Sequence, residues 1–168
     1  DFSPEALGTE LPAHKNTGFE LLQGPAQFEG EILGGCIDSM YEMFSGWRYG
    51  DMPEVCRNYG LFPSMDDWRG KILLMESCEE YMPPETYKKA LETLQETGVF
   101  DAVSGVLVGK PMDDVYHAEY KKLLVETISN KELPILCNIN VGHAQPRCIL
   151  PFGVPAHVDA DAQVIRFG

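Results

Sequence analysis

The sequence holds no run near the roughly 18 consecutive apolar residues that a transmembrane helix needs, and its start has neither the basic flank nor the apolar core of a secretory leader. The chain therefore reads as soluble. Positive charge is scarce as well: 13 Lys and Arg stand against 26 Asp and Glu, a formal charge of −13. Nucleic acid and anionic membrane surfaces both demand clustered Lys and Arg, so both are disfavoured as partners. The five cysteines, Cys36, Cys56, Cys78, Cys137 and Cys148, are an odd number. Four of them sit in or beside apolar stretches, where a reduced thiol packs as a small hydrophobe, which points to a reducing cytoplasm. Internal repeats and low-complexity tracts are missing. So is a Gly-x-Ser-x-Gly nucleophile elbow.

What is present fits one domain, since 168 residues lie close to the usual domain size of about 100–150. Residues Asp1 to Asn16, with Pro4, Gly8 and Pro12 among charges, read as a linker or edge segment. Starting at Asp1 without a methionine, this polar opening has the character of an excised fragment. Thr17 to Leu22 and Ala26 to Leu33 read as two short strands, joined as a hairpin through Gly24-Pro25, with Phe28 and Ile32 as buried positions. Gly34-Gly35 is expected to break the second strand. Ile37, Met40, Tyr41 and Phe44 then follow at helical spacing, so this is strand, glycine turn, helix, a place where an anion could meet free N–H groups.

The segment from Ser45 to Gly70 carries Trp47, Tyr49, Tyr59, Phe62 and Trp68 between prolines, with one short helix expected over Met52 to Tyr59. Trp47 and Trp68 are candidates for a pocket wall or for core. Lys71 to Glu76 is a short apolar run that stops at a carboxylate, and Val103 to Val108 is another, closed by Gly109-Lys110-Pro111. A helix is expected between them, from Pro83-Pro84 to Gly98, and a second from Val115 to about Asn130. Pro134 leads into a third run, Ile135 to Val141, which ends at Gly142-His143. This alternation implies right-handed crossovers and a parallel core of three strands. Cys148 to Phe152, Val154 to Asp159 and Gln163 to Phe167 suggest three further strands in an antiparallel patch.

Parallel strands point the same way, so Glu76, Gly109-Lys110 and His143 should emerge at one edge, where open α/β sheets gather their chemistry. If the first and third runs are neighbours, Glu76 meets His143. A carboxylate on one imidazole nitrogen orients the ring and leaves the other to act as base, which is two thirds of a triad. Glu79 and Glu80 read as solvated charges, and His14, His117 and His157 as surface or edge residues. The nucleophile is the gap. Cys36, at a helix start, is the one internal candidate, although a structural thiol is the simpler role. A zinc site from Cys137, His143 and Cys148 has unusual spacing and lacks a fourth ligand.

The runs Gly30-Glu31-Ile32-Leu33-Gly34-Gly35, Gly70 to Glu76, Gly98 to Lys110, and Gly142-His143 with Leu150-Pro151-Phe152-Gly153-Val154 resemble the C-terminal half of the LD-carboxypeptidase family, most closely its microcin C self-immunity branch. The resemblance begins at about Thr17. It implies a swivelling β/β/α domain, with a small parallel sheet flanked by helices, bearing the glutamate and histidine of a Ser-Glu-His triad. By it, Glu76 is the triad glutamate and His143 the triad histidine, residues 17–168 are the catalytic C-terminal domain, and the serine lies on an N-terminal domain. It further implies a cofactor-free serine peptidase, forming a homodimer as family members commonly do, that cleaves an amide bond in a murein LD-peptide or an aminoacyl-nucleotide. The 168 residues alone are then expected to be inactive. Two departures stand out: Cys36 follows Gly-Gly where the family commonly has Asn, and the segment from Ser45 to Gly70 is longer than in the murein enzymes. A self-contained thiol hydrolase using Cys36, His143 and Glu76, and a non-catalytic binding module, are the alternatives.

Overall fold

A computed structural model of the chain describes Gly8 and residues 15–168. The linker expected over residues 1–16, and His14 with it, therefore lies almost wholly outside the described residues. Seven strands form one curled sheet: β1 (Glu20–Gln23), β2 (Gln27–Cys36), β3 (Ile72–Glu76), β4 (Gly105–Gly109), β5 (Ile135–Ile139), β6 (Pro155–Asp159) and β7 (Val164–Phe167), in the order β1-β5-β4-β3-β2-β6-β7. The helices are α1 (Ile37–Ser45), α2 (Met52–Tyr59), α3 (Met65–Trp68), α4 (Pro84–Thr97), α5 (Val99–Ala102) and α6 (His117–Thr127).

The apolar runs form strands buried on both faces, as parallel strands require. Side chains alternate along β3: Leu73 and Met75 join Phe100, Tyr87, Leu91 and Leu94 in the helix-covered core, while Ile72 and Leu74 join Leu107, Leu136, Ala156 and Val158 in a second core on the other face. The helical punctuation works as expected. Pro84 starts α4, and Gly98, in the left-handed conformation, ends it.

The parallel core has four strands, not three, because β2 pairs in parallel with β3. The N-terminal half of β2 pairs antiparallel with β6 instead, so this one strand joins the parallel core to the antiparallel patch of β6 and β7. Gly34-Gly35 does not break β2. At Gly34, φ is +133° and a Cβ would sit 2.2 Å from the Leu74 carbonyl oxygen, so glycine lets the strand continue while β3 passes close by. Ile32 is buried as expected, Phe28 only partly.

The hairpin does not form. β1 pairs antiparallel with β5, at the far side of the parallel core from β6. Gln23 holds that edge by donating its amide to the Asn130 and Leu133 carbonyls at 3.0 Å. The expected strand over 148–152 is also missing, since this stretch is irregular, and α6 begins at His117 because Tyr116 has positive φ. In the aromatic segment, α2 spans the expected residues, and Ser64 starts α3 with a capping box to Asp67. Trp68 is core, against Phe62 at 5.7 Å, whereas Trp47 is 56% exposed with Arg48 stacked over its ring.

Candidate active site

The C-terminal ends of β3, β4 and β5 bring Glu76, Gly109-Lys110 and the loop carrying His143 to one edge of the sheet. β3 and β5 are not neighbours, as the simplest reading supposed, because β4 lies between them. The gap is crossed by the Val141–Gly142 backbone. A Cβ at Gly109 would lie 2.8 Å from the Val141 carbonyl oxygen, and one at Gly142 only 2.4 Å from Glu76 Oε2. With φ at +89°, Gly142 also takes a conformation that other residues resist. Small residues at two positions thus let the loop fold over the end of β4.

His143 Nδ1 lies 2.8 Å from Glu76 Oε2. The Glu76 side chain is 11% exposed and that of His143 38%, so the carboxylate is held in place while the ring keeps an accessible side. The hydrogen bond to Glu76 raises the His143 pKa above the ordinary histidine value, partial burial opposes it, and the charges of Glu76 and Glu79 add to the rise. Nδ1–H donating to the carboxylate leaves Nε2 as the basic nitrogen.

Glu79 is not merely a solvated charge. Its Oε2 lies 3.1 Å from His143 Nε2, the nitrogen that faces away from Glu76. Spacing alone carried no signal for this, because the turn after β3 returns Glu79 toward the ring. Glu80 pairs with Arg48, tying the aromatic segment to the same turn. Lys110 is buried at 6% exposure and its ammonium donates to the Gln145 carbonyl at 3.2 Å, two residues past His143 in the same loop. A cavity of about 390 Å³ opens beside His143 and is lined by Lys15, Lys110, Met112, Asp113 and Gln145.

Cys36 ends β2 opposite Glu76 in the register, yet its thiol bonds to Asp38 Oδ2 at 3.5 Å rather than to His143. Burial pushes that thiol up to about 12, against the pull of the helix N–H groups of Ser39 and Asp38. It is held as a neutral thiol. The zinc trio is not assembled either: Cys137 is buried within β5, Cys148 is exposed and bonds to the Asn140 carbonyl at 3.0 Å, and His143 is engaged by Glu76. His157 pairs with Glu29 on β2, away from the site, whereas His117 pairs with Asp114, which lines the cavity beside His143. No helix among the described residues is long and apolar enough to cross a membrane.

The chain is similar to solved structures over nearly all its length. It is 57% identical to an MccF-like protein from Streptococcus pneumoniae, solved in complex with AMP, with a TM-score of 0.94 over 100% of this chain and 49% of that one. MccF in complex with glutamyl sulfamoyl guanosine is 25% identical, with a TM-score of 0.62 over 90% of this chain and 41% of that one. Among curated proteins, the microcin C7 self-immunity protein MccF of Escherichia coli is 26% identical over 142 residues, covering 82% of this chain and 36% of its own. The chain thus spans about half the length of the structures it matches, and less of the curated relative. The swivelling α/β architecture implied by the sequence motifs is the one found. The LD-carboxypeptidase C-terminal domain family matches residues 29–158, and the chain belongs to that family of serine carboxypeptidase-type hydrolases.

Proposed function

We propose that this chain supplies the Glu and His of a Ser-Glu-His hydrolase that cleaves the amide bond joining an aminoacyl group to a nucleotide. The observation that carries this reading is the 2.8 Å contact between His143 Nδ1 and Glu76 Oε2, at an edge where the imidazole stays partly exposed. Glu76 fixes the ring tautomer and stabilises the imidazolium. His143 takes the proton of a serine hydroxyl contributed by a domain outside these 168 residues, then returns a proton to the leaving amine. Glu79 occupies Nε2 in the present arrangement, so the serine reaches that nitrogen by displacing an exposed side chain. The AMP complex of the similar Streptococcus pneumoniae protein supports a nucleotide-bearing substrate over a murein LD-peptide.

Full-length protein should hydrolyse an aminoacyl sulfamoyl adenosine, and His143→Ala should abolish turnover while leaving the fold intact. The 168-residue chain alone should hydrolyse nothing. Turnover by that chain, lost on Cys36→Ala, would mean a thiol hydrolase; unchanged turnover in full-length His143→Ala would mean a binding module. Preference for an LD-tetrapeptide would retain the triad and replace the substrate.

A further inference from the structure

Beside the Glu76 turn lies a second cluster that hydrolysis does not use. Cys36 closes β2, Asp38 is the second residue of α1, and Cys78 follows Glu76 by two residues. The two sulfurs and an oxygen of the Asp38 carboxylate all lie within 4.8 Å of one another. Among the described residues, no other three metal-binding side chains converge this way.

Asp38 is the member that needs explaining. It is 4% exposed and forms no ion pair among the described residues; its Oδ2 accepts the Cys78 N–H at 3.2 Å and the Cys36 S–H at 3.5 Å. Burying a carboxylate is costly unless it is paired or coordinates a metal. Arg48 neighbours the Cys78 thiol, but its guanidinium is engaged by Glu80.

We propose that Cys36, Asp38 and Cys78 bind a thiophilic divalent cation of the zinc class, with a fourth coordination position open to water. Two thiolates and a carboxylate suit Zn²⁺ or Cd²⁺ and not the oxygen-preferring Mg²⁺ or Ca²⁺. Coordination forms two metal–sulfur bonds and one metal–oxygen bond and releases one proton from each thiol. The cluster carries a single negative charge before and after, so the half-buried site gains no net charge. The ion also brackets Glu76, since Cys36 is its register partner on β2 and Cys78 lies two residues along the chain. It would brace the turn that aims Glu76 at His143.

Full-length protein, stripped of metal under reducing conditions and titrated with Cd²⁺ alone, should bind one ion per chain and show the ultraviolet absorption of Cd–thiolate charge transfer. Cys36→Ser and Cys78→Ser should each weaken binding by at least the ~10–100-fold that loss of even a supporting partner costs. Asp38→Asn should weaken binding while keeping the absorption, and if it does not fold, the two cysteine variants carry the test. His143→Ala should bind as the wild type does, because the Glu76–His143–Glu79 group is separate. The proposal is overturned if the wild type binds no Cd²⁺, if the double cysteine variant keeps both affinity and absorption, or if His143→Ala abolishes binding.

Discussion

His143 Nδ1 lies 2.8 Å from Glu76 Oε2 although the strands that carry them are separated by β4. Their meeting depends on a loop crossing the end of a third strand, so the site is sensitive to groups that never touch a substrate.

Glu76→Gln should leave that loop in place and lose most of the catalysis. An amide holds the ring in the wrong tautomer, so kcat of the full-length protein should fall by about four orders of magnitude, the loss seen on removing the charge of a triad acid. KM should change little. Steady-state kinetics on the purified variant, with circular dichroism to confirm folding, measure this directly.

The raised His143 pKa has a sign that can be checked. The folded state holds this proton more tightly than the unfolded chain, whose histidine titrates near 6.5. The stability contributed by the pair is therefore fully present below that value and is lost as pH rises through the raised folded pKa. Urea unfolding across this window should show the increment in the wild type and not in Glu76→Gln. A general base must be neutral, so if His143 acts as proposed, the rising limb of the pH–rate profile should sit above the usual histidine range. Glu79→Gln should move it down less than Glu76→Gln does, since the hydrogen bond to Glu76 is the largest cause of the rise.

Gly142→Ala should separate activity from stability. The new Cβ would start 2.4 Å from Glu76 Oε2, at a φ of +89° that adds roughly 1–2 kcal/mol of backbone strain. Activity should fall far more than that strain explains, because the carboxylate must move. Gly153→Ala is the control: its φ is +68° but nothing lies near the added methyl, so it should lose similar stability and keep its activity. Denaturant midpoints and kcat for the two variants decide the matter.

The two cores should dominate stability. Phe100 is fully buried, and Phe100→Ala should cost about 3–5 kcal/mol. Trp47 is exposed, with Arg48 at 5.0 Å over its ring, so Trp47→Ala should cost no more than about 1 kcal/mol. Equilibrium urea unfolding of both variants distinguishes core from cover.

Legibility in the sequence followed the range of the interaction. Pro84 and Gly98 delimit α4 through their own backbone chemistry, and Pro53 starts α2 in the same way. The apolar runs of β3, β4 and β5 were visible because strands buried on both faces hold few polar positions, and in β5 only Asn138 interrupts the run. Gly24-Pro25 misled, since a turn signal says that the chain turns and not which sheet edge it joins. Gly34-Gly35 misled for a related reason: close approach of β3 and a break in β2 call for the same residue. Glu79 and Asp38 left no mark at all, because a charge written in the sequence does not disclose what it will face.

The sequence by itself determined α2, α4 and the strands β3, β4 and β5 with their common direction, and with them the gathering of Glu76, Gly109-Lys110 and His143 at one edge. Periodicity and turn chemistry act within a few residues, so they survive reading in one dimension. Only the tertiary structure decided that β4 separates the two strands, that the loop over Gly109 closes the gap, and that Glu79 meets the second nitrogen of the imidazole. Those outcomes rest on contacts between residues distant along the chain or on the path of a turn, and packing alone selects among the arrangements that local preference allows.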